Sequence, residues 1–264
     1  FINIIIASLI LKLSIEYFII PGKNYMPVIF YYIFTSVLRS FNYFHPLHIS
    51  IILLIIIFRN IFSTSKINKF SLLFFDIGLI AGISFIIYYP SWIFLILILI
   101  ALSMFRQFNW REWLTTIIGY FIPLIFILTY NYVFEKNMKI IEFYKAFINE
   151  KINYSKFINI FLIYSLLISF IAMLHDANKI NTLKIFSRKI FSLFIISFIL
   201  STTALFIIFL PSSSPILMTI AFINFLFFTS FYFSTCKINK INNILLAIFL
   251  LLPVILCFFN NFKF

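Results

Sequence analysis

Acidic side chains are almost missing from this chain: seven Asp and Glu stand among 264 residues, against 20 Lys and Arg. Charge of either sign is scarce, at 10% of residues where a globular chain carries about 25%. Glycine occurs four times, histidine three times and cysteine twice. Each shortage excludes something. No P-loop, nucleophile elbow, HExxH or GxGxxG pattern occurs, so the common nucleotide, acyl-transfer and zinc-protease signatures are absent. Cys236 follows one apolar run and Cys257 lies deep in the last, with no CxxC spacing, so a disulfide between them is not expected.

What is present is apolar. Hydrophobic residues make up 64% of the chain, 40 of them Phe, and the mean hydropathy is +1.13. A soluble domain of this size cannot hide so much apolar surface. The runs repeatedly reach about 17 to 22 residues, the length at which a helix crosses a bilayer core. The expected fold is therefore all-α: a polytopic transmembrane helix bundle of about ten spans, forming a single integral-membrane domain over residues 1–264. The excess of Phe, Ile, Lys and Asn also has the look of an AT-rich genome. Lys-Ile-Asn recurs at Lys66, Lys151, Lys179, Lys237 and Lys240 with irregular spacing, which is compositional bias and not a structural repeat.

The ten expected spans run over about 1–20, 25–43, 47–62, 70–89, 91–105, 113–134, 157–174, 191–210, 216–234 and 244–259. Pro21-Gly22-Lys23 breaks the first from the second, and Pro46 and Pro90 precede the third and fifth. Between the sixth and seventh spans, Ile141, Tyr144, Ile148 and Ile152 recur at helical spacing while Glu142, Lys145 and Asn149 fall elsewhere. Residues 135–156 therefore read as an amphipathic helix lying in the membrane interface, with a solvated hairpin loop as the alternative. The chain opens on the apolar Phe1 with no charged region or cleavage site before a first run, so this start is not a signal peptide, and a missing N-terminal segment is expected.

A net charge of +13 would suggest nucleic acid in a soluble chain. Here the cations sit in short connections between apolar spans, where they face anionic headgroups, and no nucleic-acid partner is expected. Twelve Lys and Arg fall in connections after odd-numbered spans and seven on the other side. The positive-inside rule then puts the odd connections in the cytoplasm and Phe1 outside.

Asp76 stands out because it lies inside the fourth span with no charged neighbour in sequence, where a carboxylate costs about 2.5–3.5 kcal/mol to insert. Arg59, Arg106 and Arg111 belong to the same membrane face. Two readings fit: a proton, ion or lipid-headgroup site with Asp76 as its acid–base group, or an ion pair that locks helices together. Gly78 and Gly82 form a GxxxG that lets two helix backbones approach closely. Arg106, Trp110, Arg111, Glu112 and Trp113 share one short turn, either gripping a lipid phosphate or anchoring the topology through interfacial tryptophans. His45 and His48 are separated from His175 by the membrane, and His175-Asp176 reads as a loop pair, so no metal site and no cofactor are expected.

Phe75-Asp76, Gly78 and Ala81, then Arg106 with Trp110-Arg111-Glu112-Trp113 and Gly119, resemble a polytopic inner-membrane family of Bacteroidota, a domain of unknown function. That family has Phe-Asp entering a helix and Arg-x-x-x-Arg-x-Trp before the next span. In this chain the arginines stand five apart and Trp110 is additional. The resemblance implies a further N-terminal helix and an inner-membrane location, and brings no activity. Two functions are expected from the residues. The first is a non-catalytic subunit, scaffold or assembly factor of an envelope complex, with a membrane-protein partner. The other is an enzyme or transporter acting on a lipid-linked, polyprenyl-phosphate substrate.

Overall fold

The computed structural model describes residues 2–20, 24–37, 45–64, 71–105, 109–134, 156–180, 183–207, 215–236 and 240–261. Among them are ten α-helices and a short 3₁₀ turn, Tyr89–Trp92. The helices are α1 (Ile2–Glu16), α2 (Met26–Val37), α3 (Pro46–Ser63), α4 (Ser71–Ile87) and α5 (Ile93–Phe105), followed by α6 (Trp110–Val133), α7 (Lys156–Lys179), α8 (Ile185–Ile207), α9 (Pro215–Thr235) and α10 (Lys240–Asn261). Three stretches, Pro46–Ser63, Trp110–Val133 and Ile185–Thr203, are long and apolar enough to cross a membrane. The amphipathic segment expected over 135–156 lies outside the described residues, apart from Lys156 at the start of α7.

Several helix ends differ from the sequence expectation. Helix α7 runs on to Lys179, α8 starts at Ile185 and α10 at Lys240, where 174, 191 and 244 were expected. Two further ends have a clear local reason. The first span was expected to reach Ile20, but α1 stops at Glu16. Phe18 adopts φ 50°, and the amides of Phe18 and Ile19 donate to the carbonyls of Ile15 and Ser14 at 3.4 and 3.1 Å. That is a Schellman cap with phenylalanine where glycine is usual. The left-handed conformation costs an L residue roughly 1–2 kcal/mol. Phe18→Gly is therefore expected to raise stability by about 1 kcal/mol, as read by thermal unfolding in detergent; Phe18 is exposed, so little packing is lost. At the other boundary, α6 begins at Trp110 and not Trp113, because Asn109 caps it. Its side-chain oxygen accepts from the Arg111 amide at 3.2 Å, and Glu112 places a carboxylate in the first turn, where the helix dipole favours it.

The chain divides into two compact units. One comprises 1–45, 152–199 and 220–264, and its centre is aromatic. Phe249 of α10 meets Phe30 of α2, Phe161 of α7 and Phe225 of α9 at ring-centroid distances of 5.4, 5.8 and 5.5 Å. Phe34 stacks on Phe222 at 3.6 Å. A second set joins α8 to α9 through the pairs Phe191–Phe231, Phe194–Phe227 and Phe198–Phe228. Beside it, Ser197 donates to the buried Asn224 side-chain oxygen at 2.9 Å, which pairs that oxygen in apolar surroundings, while the Asn224 Nδ2 has no partner among the described residues. The phenylalanine excess thus serves packing, whatever its genomic origin.

The other unit comprises 46–151 and 200–219. Its organising contact is between α4 and α6, whose backbones meet through glycines on both sides. A Cβ on Gly78 would overlap the Thr116 carbonyl oxygen, one on Gly82 the Tyr120 carbonyl oxygen, and one on Gly119 the Phe75 carbonyl oxygen. Pro123 fills the remaining space: its Cγ lies 3.1 Å from where a Gly82 Cβ would stand. In an apolar environment helix pairs are held mainly by van der Waals packing, which close backbone approach maximises.

Candidate functional site

Asp76, the carboxylate singled out in the sequence, is exposed on the outer side of α4. Among the described residues it makes no hydrogen bond or ion pair. Arg59 is exposed near the end of α3 and Arg111 is exposed in the first turn of α6, while Arg106 lies outside the described residues. The Arg111 guanidinium sits 5.8 Å from the centroid of the Trp110 ring, which is itself exposed, while Trp113 is half-buried. That pairing suits a membrane-surface anchor, since the indole and guanidinium both favour the interface. The described residues therefore hold Arg111 against Trp110, and Gly78 and Gly82 against α6, and no hydrogen bond or ion pair among them joins Asp76 to Arg59 or Arg111. His48 is buried within α3, and no group of three or more His, Cys, Asp or Glu among the described residues could hold a metal ion.

The densest polar chemistry lies elsewhere, at the end of α7. His175 and Asp176 stand just past the apolar run that closes at Leu174, and Cys236 follows the last turn of α9. The His175 Nδ1 is 3.2 Å from Asp176 Oδ1, and its Nε2 is 3.6 Å from Cys236 Sγ. Tyr232 lies edge-on to the imidazole at 4.9 Å and donates its hydroxyl to Asn242 of α10 at 2.8 Å. Lys179 donates to the Thr235 carbonyl at 2.7 Å, capping α9 in the way cations cap helix C-termini. Cys236 is half-exposed and His175 about a quarter exposed, whereas Asp176 is buried and its Oδ2 has no partner among the described residues.

This is a thiol, an imidazole and a carboxyl in series. The two ring nitrogens point in opposite directions, so one ion cannot be shared by the thiol and the carboxyl. The arrangement suits proton movement: with Nδ1–H donated to Asp176, the Nε2 lone pair faces the thiol, as a base faces a nucleophile. Burial pushes the Asp176 carboxyl up to about 8, against the pull of Lys179. Burial and then Lys179 hold His175 below its usual value.

These shifts predict a pH dependence. The folded Asp176 keeps its proton to about pH 8, while unfolded aspartate releases it near 4. Its stabilisation is thus complete below the unfolded value and is lost as pH rises through 8. The depressed His175 acts in the other direction, but only below its unfolded value of 6.5. Between about pH 6.5 and 8 stability should therefore fall by roughly 1–2 kcal/mol. Asp176→Asn should flatten that slope in thermal unfolding scans and leave the variant more stable than wild type at pH 8.

The relay was missed in the sequence because His175 and Cys236 are separated by 60 intervening residues and match no motif. One signal was available: the seventh and ninth spans end on the same membrane face in an alternating count, which places their terminal residues side by side. Comparison with known protein families, curated proteins and solved structures finds no match.

Proposed function

We propose that this chain is a multi-pass protein of the bacterial inner membrane and serves as a non-catalytic subunit, scaffold or assembly factor of an envelope complex. The observation that carries the reading is the surface of α6. Within this chain α6 buries only Thr116, Gly119 and Tyr120, the stripe that meets α4. Leu114, Ile118, Phe121, Ile125, Phe126, Leu128 and Val133 are all exposed. A helix of this length and apolarity requires lipid or another apolar helix against that surface. The exposed faces of the other helices, Ile163, Leu167, Phe170 and Leu174 on α7 among them, fit the same environment. The cation asymmetry between connections supports cytoplasmic placement of those after odd-numbered spans.

An enzyme or transporter for a polyprenyl-phosphate substrate, built on Asp76 with Arg59, Arg106 and Arg111, has less support, because Asp76 has no partner among the described residues. The test is photo-crosslinking from a benzoylphenylalanine at position 126 in native membranes after alkaline carbonate washing. The chain is expected to stay in the washed pellet and to give one discrete protein adduct. Release by carbonate, or adducts with lipid alone, would count against the proposal.

A further inference from the structure

We propose that Cys236 is an acyl-acceptor site, at which the thiol takes an acyl group from an activated acyl thioester with His175 as the base. The role goes beyond that of a membrane component and is compatible with it, since the chain itself is the acceptor.

Three observations converge on it. The first is the series of contacts: Cys236 Sγ to His175 Nε2 at 3.6 Å and His175 Nδ1 to Asp176 Oδ1 at 3.2 Å. Nucleophile, base and base-orienting group stand in the order that acyl transfer uses. The second is access. The thiol and the imidazole are partly exposed, while the orienting carboxyl is buried behind them with one oxygen unpartnered. The third is location. Cys236 directly follows an apolar helix, the position at which a long acyl chain entering the membrane presents its carbonyl. Cations stand near it: Lys237 and Lys240 come next in sequence, Lys179 ends α7, Lys184 lies in the connection that follows, and Arg188 and Lys189 fall in the first turns of α8. Such charges suit a donor whose thiol leaving group carries phosphates.

Other uses of the thiol fit less well. A metal would need donors that converge, and here the imidazole separates the thiol from the carboxyl. A disulfide would need a second sulfur, and Cys257 lies roughly 25 Å along α10 from Lys240 at 1.5 Å per residue.

The step balances without an oxidant. His175 Nε2 takes the thiol proton as Sγ attacks the thioester carbonyl. The new Sγ–C bond replaces the donor's C–S bond, and the proton passes to the departing thiolate. The products are a Cys236 thioester and the free donor thiol. Asp176 is a positioning residue, since it acts through His175 Nδ1.

The experiment uses the purified full chain in mild detergent with palmitoyl-coenzyme A as the probe, followed by intact-protein mass spectrometry. The expected result is one acyl adduct, mapped to Cys236, released by neutral hydroxylamine and formed at least tenfold faster than any adduct on Cys257. His175→Ala should slow the reaction at least tenfold, and added imidazole should restore much of the rate, which a merely structural role for His175 would not allow. No adduct on the wild-type protein, equal rates on both cysteines, a rate unchanged by His175→Ala, or a loss that imidazole does not repair would overturn the proposal.

Discussion

Gly78→Leu is expected to separate α4 from α6 and to prevent recovery of folded protein. Even the first carbon of a side chain at 78 overlaps a backbone oxygen, that of Thr116, and backbone cannot rotate away as a side chain can. Gly82 and Gly119 meet backbone oxygens in the same way, so shifting the helices apart to relieve one position loosens all three. Overpacking in a core costs about 1–3 kcal/mol where side chains can adjust. Here they cannot, and the loss should exceed about 3 kcal/mol. Gly78→Ala should fall between wild type and Gly78→Leu, and Ile83→Ala, on an exposed position of the same helix, should be close to neutral. Thermal unfolding followed by fluorescence size-exclusion chromatography reads the series. A Gly78→Leu protein with wild-type stability would mean that α4 and α6 do not pack as described.

Phe249→Ala should be the most damaging single truncation in the other unit. The ring is 1% exposed and touches aromatic rings from three further helices, α2, α7 and α9. Truncating a buried phenylalanine costs about 3–5 kcal/mol in soluble cores. With lipid outside, the transfer part of that cost shrinks while the lost ring contacts remain, so about 3 kcal/mol is expected. Phe126→Ala removes an identical side chain from the exposed face of α6 and should cost under about 0.5 kcal/mol. Equal losses for the two variants would contradict the burial pattern.

Much of the architecture was legible because it depends on composition over long windows. Apolar runs bounded by Pro21, Pro46 and Pro90 place helices correctly without any knowledge of their neighbours. Boundaries were less legible where one residue decides them: Phe18 in a left-handed cap and Asn109 as an N-cap each move a helix end by a few positions. The GxxxG of Gly78 and Gly82 announced a close helix contact, but its partner surface, Gly119 with Thr116 and Tyr120, follows only from the packing. The site was the least legible part. Asp76 drew notice because a lone carboxylate in an apolar run is costly, yet on the described surface it stands alone. His175-Asp176 looked like an ordinary loop pair because the third member, Cys236, arrives from a different helix.

The measurement that most directly tests the role assigned to this chain is native mass spectrometry of the full-length protein, extracted from its own membranes in mild detergent. The expected result is a stoichiometric protein partner, retained in Asp76→Asn and Arg111→Ala. The contradicting result is a lone chain carrying a polyprenyl or glycolipid mass that disappears in either variant, which would move the function to lipid-substrate chemistry at α4 and α6.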